Sequence, residues 1–537
     1  MDFHNKIVII TGASSGIGAA TAESFARKSA TLVLVGRNEE NLKKVAKICQ
    51  NVRGIQPLVI KADVNADDEL KYIVKKTINA FGKIDILINN VGITSAGGIR
   101  DGIQSYDKVM STNVRSIYLL TSLVVPYLIT SKGSIVNVSS VLSRKYIREF
   151  KWLAYSVSKA ALDHFTRCIA LELSSDGVRV NSINPGAVKT SFFEASGLSE
   201  SESEQVYKMC KKRNPLGKIV ESEEVSELIV YLTSDSARSI TGASFVIDNV
   251  ILSTAIKVVA LSSVIFIQLD YAFLTVRNAI SPMMEFHNKV VLITGASSGI
   301  GAAAAELFAK QSAKLVLVGR NLENLRRVAE KCESERSIKP LVVQADLNID
   351  SDVEKIIAKT IEQLSAIDVL VNNAGFGVRG SIYDGVEPFD RVMATNVRAV
   401  YLLTSLAVPH LVKAKGVIIN VSSVAAFKPI KDADYMPYCM SKAALDQFTK
   451  CLALEMGPKG VRVNSVNPGG TKTPFAVHAG FSEVEAEQLY KARDNIYPLR
   501  KMAESQEVAD LILYLASQRA RSITGGIYVI DNGETLM

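Results

Sequence analysis

The segment Thr11–Ala20 reads TGASSGIGAA, and it recurs letter for letter at Thr294–Ala303. In each copy a short β-rich apolar run precedes the segment and an alanine-rich helical pattern follows it. Glycines in such a turn let backbone N–H groups approach a pyrophosphate at the helix N-terminus. Its place between strand and helix, twice, favours this interpretation over an ordinary glycine-rich turn. The residues expected at the phosphates are Gly12, Ser14, Ser15, Gly16, Ile17 and Gly18, and Gly295, Ser297, Ser298, Gly299, Ile300 and Gly301.

The whole chain is a long-period repeat. LVLVGRN at Leu32 and Leu315 and NVSS at Asn137 and Asn420 are separated by 283 residues, as are the two glycine-rich segments. Such an offset excludes a short-unit solenoid, whose repeats run to about 20–50 residues. The sequence therefore predicts two complete domains of one design: a first half at residues 1–250 and a second half at residues 284–537, joined by an apolar linker at 251–283.

Within each half, strand and helix patterns alternate. KIVIIT at 6–11 is a short apolar run of the kind that forms a strand buried on both faces. EENLKKVAKICQ at 39–50 carries apolar residues at helical spacing with charges on the other face. This alternation predicts the α/β class, with two tandem doubly wound parallel-sheet (Rossmann-type) domains and ligands at the carboxyl ends of the strands.

Composition narrows the function classes. The chain has 537 residues, 48% hydrophobic and 22% charged, which is typical of a globular protein. Its net charge is +8, but no run of five basic residues occurs and there is one tryptophan, so we expect no nucleic-acid partner. None of the six cysteines has metal-site spacing, so we expect no metal. The first residues lack a signal-peptide pattern, which favours a cytoplasmic location.

The end of the second predicted strand bears on the choice of cofactor. Arg37 and Arg320 stand there, where an acidic residue would bind the ribose 2′-hydroxyl of NAD and an arginine the extra phosphate of NADP. The pattern favours NADP over NAD, unless each arginine pairs with a carboxylate on the following helix. Asp63 and Asp346, which close the third strand, are placed to meet the adenine, although each could equally be a helix N-cap.

A tyrosine and a lysine share one face of a later helix. Tyr155 and Lys159 are four residues apart, as are Tyr438 and Lys442, and this spacing brings side chains together on a helix. An adjacent cation stabilises a phenolate and is expected to lower the tyrosine pKa from its usual value of about 10, which suits proton exchange near neutral pH. The pair by itself is common on helices.

In combination, these motifs resemble the short-chain dehydrogenase/reductase family, over about residues 2–250 and 285–534. The resemblance implies that tyrosine is the general acid/base, that lysine binds ribose and perturbs the phenol, that serine orients the substrate oxygen and that asparagine holds a water linked to the lysine. The implied catalytic residues are Asn113, Ser140, Tyr155 and Lys159, and Asn396, Ser423, Tyr438 and Lys442. Further implied cofactor contacts are Asn90, Gly92, Pro185, Gly186 and Thr190, and Asn373, Gly375, Pro468, Gly469 and Thr473.

Three departures from the family pattern are visible. Val91 replaces the usual alanine of NNAG, and the closing Asp-Gly-Gly becomes Asp-Asn-Val at 248–250 and Asp-Asn-Gly at 531–533. These changes concern cofactor affinity rather than mechanism. The interval from serine to tyrosine is also long, so we expect the intervening loop to bulge into the substrate mouth. That loop is basic at 143–152 and near neutral at 426–435, which predicts anionic carbonyl substrates for the first half, unless the loop is a drifting surface segment.

These observations predict an NADP(H)-dependent oxidoreductase that interconverts a small-molecule carbonyl and a secondary alcohol in both halves. The alternatives are one active copy beside a structural copy, or a non-catalytic NADP-binding scaffold. Family likeness also implies association through the helices beginning near Asn113 and Leu153, as an intramolecular pseudo-dimer or a homo-oligomer. Residues 250–269 are long enough to span a bilayer, but one crossing would separate the halves, so a connector is favoured over membrane association.

Overall fold

The structure is a computed structural model that describes part of the chain. The described residues are 2–95, 97–145, 152–195, 197–213, 219–248, 285–430, 435–478, 481–494 and 496–536. The proposed linker at 251–283 lies outside them, as do residues 249 and 250 of the closing motif. The described chain divides into two compact units, one formed mainly by residues up to 248 and the other mainly by residues from 285 onwards.

The first half is built on a seven-stranded parallel sheet of order β3-β2-β1-β4-β5-β6-β7. Its strands are β1 (Ile7–Thr11), β2 (Thr31–Gly36), β3 (Leu58–Lys61), β4 (Ile86–Asn89), β5 (Ser134–Val138), β6 (Arg179–Pro185) and β7 (Ser244–Ile247). Strand order reverses at β1, whose neighbours are β2 on one side and β4 on the other. A doubly wound sheet opens a ligand crevice at the carboxyl ends of its strands at this reversal.

The second half repeats this sheet in the order β10-β9-β8-β11-β12-β13-β16, with a separate parallel pair β14-β15. The strands are β8 (Val290–Thr294), β9 (Lys314–Gly319), β10 (Leu341–Gln344), β11 (Val369–Asn372), β12 (Val417–Val421), β13 (Arg462–Pro468), β14 (Thr471–Lys472), β15 (Ala503–Glu504) and β16 (Ile527–Ile530). The prediction of a doubly wound α/β fold is confirmed in each half.

Helices connect the strands in both halves. In the first half they are Gly16–Arg27, Glu39–Arg53, Asp67–Phe81, Ile103–Met110, Ser116–Ser131, Leu153–Glu172, Phe192–Ala195, Glu200–Arg213 and Ser222–Thr233. In the second half they are Gly299–Lys310, Leu322–Arg336, Asp350–Leu364, Glu387–Met393, Ala399–Ala414, Met436–Met456, Phe475–His478, Glu483–Asp494 and Ser505–Ala516. Two π-helical turns, Ser111–Arg115 and Ala394–Arg398, interrupt the long helical segments.

Local sequence explains the elements that flank the crevice. All five residues of β1 are buried, as expected for a parallel strand covered on both faces. The helix Glu39–Arg53 begins at Asn38, whose side chain accepts the Asn41 N–H at 3.0 Å, and ends at Gly54 with φ of 74°. A side-chain N-cap and a left-handed glycine are common helix ends. Helix Gly16–Arg27 instead begins at Ser15 without a side-chain cap.

A buried polar chain ties the strand ends to the helix that carries Tyr155. Asn89 Nδ2 on β4 donates to Asn137 Oδ1 on β5 at 2.9 Å, and Asn137 Nδ2 donates to Thr166 Oγ1 at 2.9 Å. The second half repeats both bonds through Asn372, Asn420 and Thr449 at 2.9 and 2.8 Å. Because buried amides are costly when unpaired, this chain fixes the register of the helix against the sheet.

Two helical segments of the described chain are long and apolar enough to cross a membrane by length and composition. They are Ile103–Ser131 and Glu387–Ala414, and more than half of the most apolar stretch of each is buried in the protein. Core helices of water-soluble proteins pass the same test, so the finding is weak evidence for a membrane span.

Candidate active site

The four predicted catalytic residues of the first half come together at the carboxyl end of its sheet. Ser140 follows β5, Tyr155 and Lys159 lie in the first two turns of helix Leu153–Glu172, and Asn113 lies in the π-helical turn. All four side chains are buried. A π-helical turn is rare and is frequent at functional sites, and here it carries the asparagine.

Lys159 is held against the end of the sheet. It is 2% exposed, and its Nζ donates to the Val138 carbonyl oxygen at 2.8 Å. The same Nζ lies 5.5 Å from the centroid of the Tyr155 ring. Burial lowers the pKa of Lys159 to about 8, and the charge of Asp163 opposes this shift. A buried ammonium therefore lies close to the tyrosine ring, and it is hydrogen-bonded to one carbonyl.

The tyrosine does not titrate as the sequence suggested. Burial raises the pKa of Tyr155 to about 12, and a hydrogen bond with Ser140 opposes the rise. Burial also raises the pKa of Tyr438. The prediction that the adjacent lysine lowers the tyrosine pKa is wrong for the protein as the structure describes it. The cost of removing the phenolate from water outweighs the hydrogen bond with Ser140 that favours the phenolate.

Asn113 connects the site to the loop after β4. Its Oδ1 accepts the Ile93 N–H at 2.8 Å, and its Nδ2 donates to the Ile93 carbonyl at 2.8 Å and to Ser158 Oγ at 3.1 Å. A Cβ on Gly92 would lie 3.3 Å from Lys159 Nζ and 3.7 Å from Asn113 Oδ1. The predicted cofactor residue Gly92 thus lies close to both the lysine and the asparagine.

The second half reproduces this geometry. Lys442 Nζ donates to the Val421 carbonyl at 2.9 Å and lies 5.5 Å from the centroid of the Tyr438 ring. Burial lowers the pKa of Lys442 to about 8. Asn396 accepts the Phe376 N–H at 3.0 Å, and a hydrogen bond joins Ser423 to Tyr438. A Cβ on Gly375 would lie 3.2 Å from Asn396 Oδ1. Both predicted tetrads are therefore assembled.

A buried carboxylate supports each serine and was missed in the sequence. Asp163 accepts from Ser143 Oγ and Asn184 Nδ2, both at 2.6 Å, and Asn184 Nδ2 also donates to the Ser140 carbonyl at 3.0 Å. This arrangement fixes the backbone that carries the Ser140 hydroxyl. The signal was available, since Asp163 recurs as Asp446 and Asn184 belongs to a repeated Asn-Pro-Gly.

The second half differs at this support. Ala426 occupies the position of Ser143 and cannot donate. Asp446 accepts from Asn467 Nδ2 at 2.8 Å and Ser465 Oγ at 3.1 Å, as Asp163 does from Asn184 and Ser182. Burial raises the pKa of Asp446 to about 6, while its hydrogen bonds oppose the rise. The two carboxylates thus share an asparagine and a strand-serine partner, and Asp163 gains a further bond from Ser143 where the second half has alanine.

The glycine-rich loop forms the other end of the crevice. Gly12 and Gly16 have φ of 64° and 54°, and a Cβ on Gly18 would lie 2.2 Å from the Gly12 carbonyl oxygen. Gly295, Gly299 and Gly301 repeat these features. Ser15 and Ser298 precede the helices without capping them. The N–H groups at these helix N-termini are therefore available to a phosphate.

Asn90 holds this loop in place. Its Nδ2 donates to the Thr11 and Gly12 carbonyls at 3.0 and 3.2 Å, and its backbone N–H donates to Thr11 Oγ1 at 3.0 Å. Asn373 makes the equivalent bonds to Thr294 and Gly295. Both amide hydrogens of Asn90 are thus used within the protein. Thr11, which the motif analysis did not single out, is an anchor of the site.

The arginines at the ends of β2 and β9 are exposed beside the glycine loops. A Cβ on Gly36, next to Arg37, would lie 3.6 Å from Ser14 Oγ. In the described part of the chain neither Arg37 nor Arg320 forms a salt bridge. The helix carboxylates nearby pair elsewhere, Glu39 with Lys43 at 2.6 Å and Glu323 with Arg327. The structure therefore does not show the alternative in which each arginine pairs with a carboxylate on the following helix.

The aspartates after the third strands have a local role. Asp63 Oδ1 accepts the backbone and side-chain N–H groups of Asn65, each at 3.0 Å. Asp346 does the same with Asn348 at 3.0 and 3.1 Å. The following helix has Ala66 at its N-cap, so Asp63 orders a turn and is not the helix N-cap. Asp346 also lines the cavity of the second half.

The Asn-Pro-Gly turns lie across the crevice from the glycine loops. Gly186 N–H donates to the Ile247 carbonyl at 2.9 Å, beside Pro185 at the end of β6. Thr190 approaches Gly16, because a Cβ on that glycine would lie 2.9 Å from Thr190 Cγ2. Pro468, Gly469 and Thr473 line the cavity of the second half.

A single cavity of about 970 Å³ joins these parts in the second half. It runs from Gly295 and Ser297 past Arg320 to Ser423 and Tyr438. Its size is that of a pocket for a large organic ligand. The glycine cradle, the uncapped helix N-terminus and the unpaired arginine are the donors that a phosphorylated dinucleotide requires, so the residues present fit such a cofactor.

The substrate ends of the two crevices carry aromatic residues that the motifs did not reveal. Tyr155 lies 5.6 Å from Phe192 and 6.1 Å from Trp152 between ring centroids. Tyr438 lies 5.3 Å from Phe475. The basic loop expected at this mouth lies partly outside the described residues, which omit 146–151 and 431–434.

Comparison with known protein families identifies the family of this chain. Residues 12–249 and 295–535 match the family described as enoyl-(acyl carrier protein) reductase. The chain belongs to the short-chain dehydrogenase/reductase family. The resemblance drawn from the motifs is confirmed, and the protein is an oxidoreductase.

Individual relatives cover either the whole chain or one half. An uncharacterized short-chain type dehydrogenase/reductase of Sinorhizobium fredii is 26% identical, covering 98% of this chain and 92% of its own. The 3-oxoacyl-(acyl carrier protein) reductase of Thermotoga maritima is 35% identical, covering 46% of this chain and 98% of its own. The solved C-domain with NADP of bacterial malonyl-CoA reductase is 18% identical with a TM-score of 0.74, covering 98% and 99%, and this likeness shows the fold alone.

Replacing Asn113 with alanine should loosen the loop after β4. The Ile93 N–H would lose its 2.8 Å acceptor, so hydrogen exchange of a peptide covering 91–95 should accelerate about tenfold. Exchange measured by mass spectrometry checks this. Asn51→Ala, at an exposed helical position, is the control. Unchanged exchange at 91–95 in Asn113→Ala would show that the asparagine does not order the loop.

Proposed function

We propose that each half is an NADP(H)-dependent oxidoreductase that interconverts a carbonyl and a secondary alcohol, with Tyr155 and Tyr438 as general acid/base. The observation that carries the proposal is the duplicated contact of tyrosine, serine and buried lysine. In both halves the lysine Nζ lies 5.5 Å from the tyrosine ring centroid, and a serine hydroxyl is hydrogen-bonded to the tyrosine. A scaffold that only bound nucleotide would need neither tetrad.

The residues of each tetrad have separable tasks in carbonyl reduction. A reduced nicotinamide, when bound, supplies the hydride that the carbonyl carbon receives. Ser140 directs the substrate oxygen towards Tyr155, and the tyrosine hydroxyl gives that oxygen its proton. Lys159 stabilises the phenolate left behind, because its ammonium is close to the ring and shielded from water. Alcohol oxidation runs through the same groups in reverse.

The proton on the tyrosine is well protected before the reaction. With its pKa at about 12, Tyr155 is a neutral acid throughout the physiological range and is poised for reduction. Its conjugate base forms only when substrate oxygen accepts the proton, and the ammonium of Lys159 then gains a charged partner in a low-dielectric site. Interactions that strengthen only as charge develops are the ones that accelerate a reaction.

Arg37 and Arg320 support NADP as the cofactor. Each stands exposed at the end of the second strand, beside the glycine loop and without a carboxylate partner in the described residues. A guanidinium can fork onto a phosphate at the ribose 2′ position, where NAD carries only a hydroxyl. The same arrangement in both halves argues for one cofactor at both sites.

Single and double Tyr→Phe variants test the reaction. Tyr155→Phe should remove the carbonyl reduction carried out by the first half, and Tyr438→Phe that of the second half. The rate of the double variant should fall about 100- to 10,000-fold, because general acid catalysis contributes that much. NADPH oxidation against a panel of ketones measures the rates. Tyr72→Phe, at an exposed helical tyrosine, is the control.

The outcomes separate the alternatives. Complete loss in one single variant and none in the other identifies one active copy beside a structural one. Full activity in the double variant contradicts the mechanism. A wild-type chain that binds NADPH but reduces no ketone is a scaffold.

Cofactor choice is tested one half at a time. In the Tyr438→Phe chain, which reports on the first half, Arg37→Ala should raise KM for NADPH about 10- to 100-fold and leave KM for NADH nearly unchanged, since only one phosphate contact is lost. Lys47→Ala, an exposed cation on the next helix, is the control. An equal rise in KM for both cofactors would contradict a 2′-phosphate contact.

A further inference from the structure

We infer that the site of the second half takes carbonyl compounds that also carry a carboxylate, recognised by Arg379 and Arg493, while the site of the first half takes apolar carbonyl compounds. This inference rests on the proposed function and names the substrate class of the same sites. Both arginines line the second-half cavity that contains Tyr438 and Ser423.

Arg379 is held at the cavity wall by two rings. Its guanidinium carbon lies 4.7 Å from the centroid of the Phe481 ring, and it is hydrogen-bonded to the Tyr435 hydroxyl. The Tyr435 ring lies 6.4 Å from that of Tyr438 between centroids. Stacking fixes the plane of a guanidinium and leaves edge N–H groups for a planar anion. The arginine is thus pre-oriented within the cavity that holds the catalytic tyrosine.

Arg493 lies beside the buried hydroxyl of Tyr497. Tyr497 is 3% exposed and lines the cavity, and its hydroxyl is close enough to hydrogen-bond with Arg493 and with Glu534. Burial raises the pKa of Tyr497 to about 12, with Glu534 adding to the rise and Arg493 opposing it. The contact with Tyr497 holds the guanidinium of Arg493 at the cavity wall, where its remaining N–H groups can bind a substrate carboxylate.

The charge at this end of the cavity is predominantly positive. Lys428 and Lys442 line it along with the two arginines, and Glu534 is the one lining carboxylate at this end among the described residues. Glu534 is engaged, since its Oε2 accepts the Gly470 N–H at 2.8 Å. Glu485 lies close enough to Arg379 to feel its charge, but neither arginine forms a salt bridge within the ranges that the structure describes.

The first half carries uncharged residues at the equivalent sequence positions. At the offset of 283 residues, Arg493 corresponds to Cys210, Phe481 to Leu198 and Ala476 to Phe193, and Arg379 corresponds to alanine. Trp152 and Phe193 stack there at 5.5 Å between centroids, and both belong to a buried cluster that includes Tyr155. Lys428 corresponds to Lys145, so Arg379 and Arg493 are the cavity-lining cations of the second half that the first half replaces with uncharged residues.

This assignment reverses the preference that the loop sequences suggested. The basic loop of the first half pointed to anionic substrates there, but residues 146–151 lie outside the described chain. The two arginines that the structure places in the cavity with Tyr438 belong to the second half. In its reaction the carbonyl carbon gains a hydride that reduced nicotinamide supplies, the oxygen gains a proton from Tyr438, and the carboxylate is unchanged.

The test uses full-length chains with one tyrosine silenced. Tyr155→Phe reports on the second half and Tyr438→Phe on the first. Each is assayed with 4-, 5- and 6-oxo acids and the matching methyl esters, with NADPH. In the Tyr155→Phe chain the best oxo acid should exceed its ester in kcat/KM by about 10-fold or more, since charge-assisted hydrogen bonds are worth that much. In the Tyr438→Phe chain the ester should be preferred.

Arginine substitutions locate the preference. In the Tyr155→Phe chain, Arg379→Gln or Arg493→Gln should bring the acid-to-ester ratio towards one. Arg326→Gln, at an exposed helical position outside the cavity, should keep the ratio. Hexanoate, which cannot be reduced, should bind the NADP-loaded Tyr155→Phe chain in calorimetry, and Arg493→Gln should weaken this binding about tenfold.

The outcomes distinguish failure of this inference from failure of the proposed function. If the Tyr155→Phe chain reduces ketones but treats acid and ester alike at every length, the inference is wrong and the proposed function stands. If neither single variant reduces any ketone, the proposed function fails, and hexanoate binding that depends on Arg493 still decides the anion site. Binding unaffected by Arg493→Gln overturns that site.

Discussion

Each half depends on the hydrogen bond that its buried lysine donates to a strand carbonyl. Removing an ammonium from water is costly unless it finds a partner, and Lys159 finds the Val138 carbonyl at the end of β5, at 2.8 Å. That bond requires the helix Leu153–Glu172 to lie in one register against the sheet, which the chain of buried asparagines maintains. Tyr155, one turn earlier, is thereby placed beside Ser140. The placement of the tyrosine beside the serine and the packing of the sheet share one constraint.

The second fixed point is the close approach of backbone at the glycine loop. A Cβ on Gly18 would meet the Gly12 carbonyl oxygen at 2.2 Å, so the helix can start there only without a side chain. Asn90 donates hydrogen bonds to the carbonyls of the loop, and Gly92, two residues later, lies close to the lysine. The loop after β4 thus links the phosphate end of the crevice to the catalytic end in both halves.

Much of this could be predicted from sequence because the deciding residues are spaced locally or repeat at one offset. The fold, the family and the assembly of both tetrads followed from the glycine turns and the tyrosine–lysine pairs. The direction of the tyrosine pKa could not, since burial depends on tertiary packing around Tyr155. The sequence did not single out Arg379 and Arg493 because they lie far apart in the chain, have no counterpart in the first half and line one cavity only through the fold. For Asp63 the sequence left an adenine contact and a helix N-cap open, and the structure excludes the N-cap because the carboxylate orders a turn with Asn65 and the helix begins at Ala66.

The pH dependence of carbonyl reduction by the Tyr438→Phe chain tests the role of the buried lysine most directly. At NADPH concentrations well below saturation, the second-order rate constant reports the ionisations of the free enzyme. Burial lowers the pKa of Lys159 to about 8, so its cation is lost as pH rises through that value, while Tyr155 keeps its proton. The account predicts a constant rate below about pH 7 and a fall of about tenfold per pH unit well above 8. A rate that stays level or rises between pH 8 and 10 would contradict it.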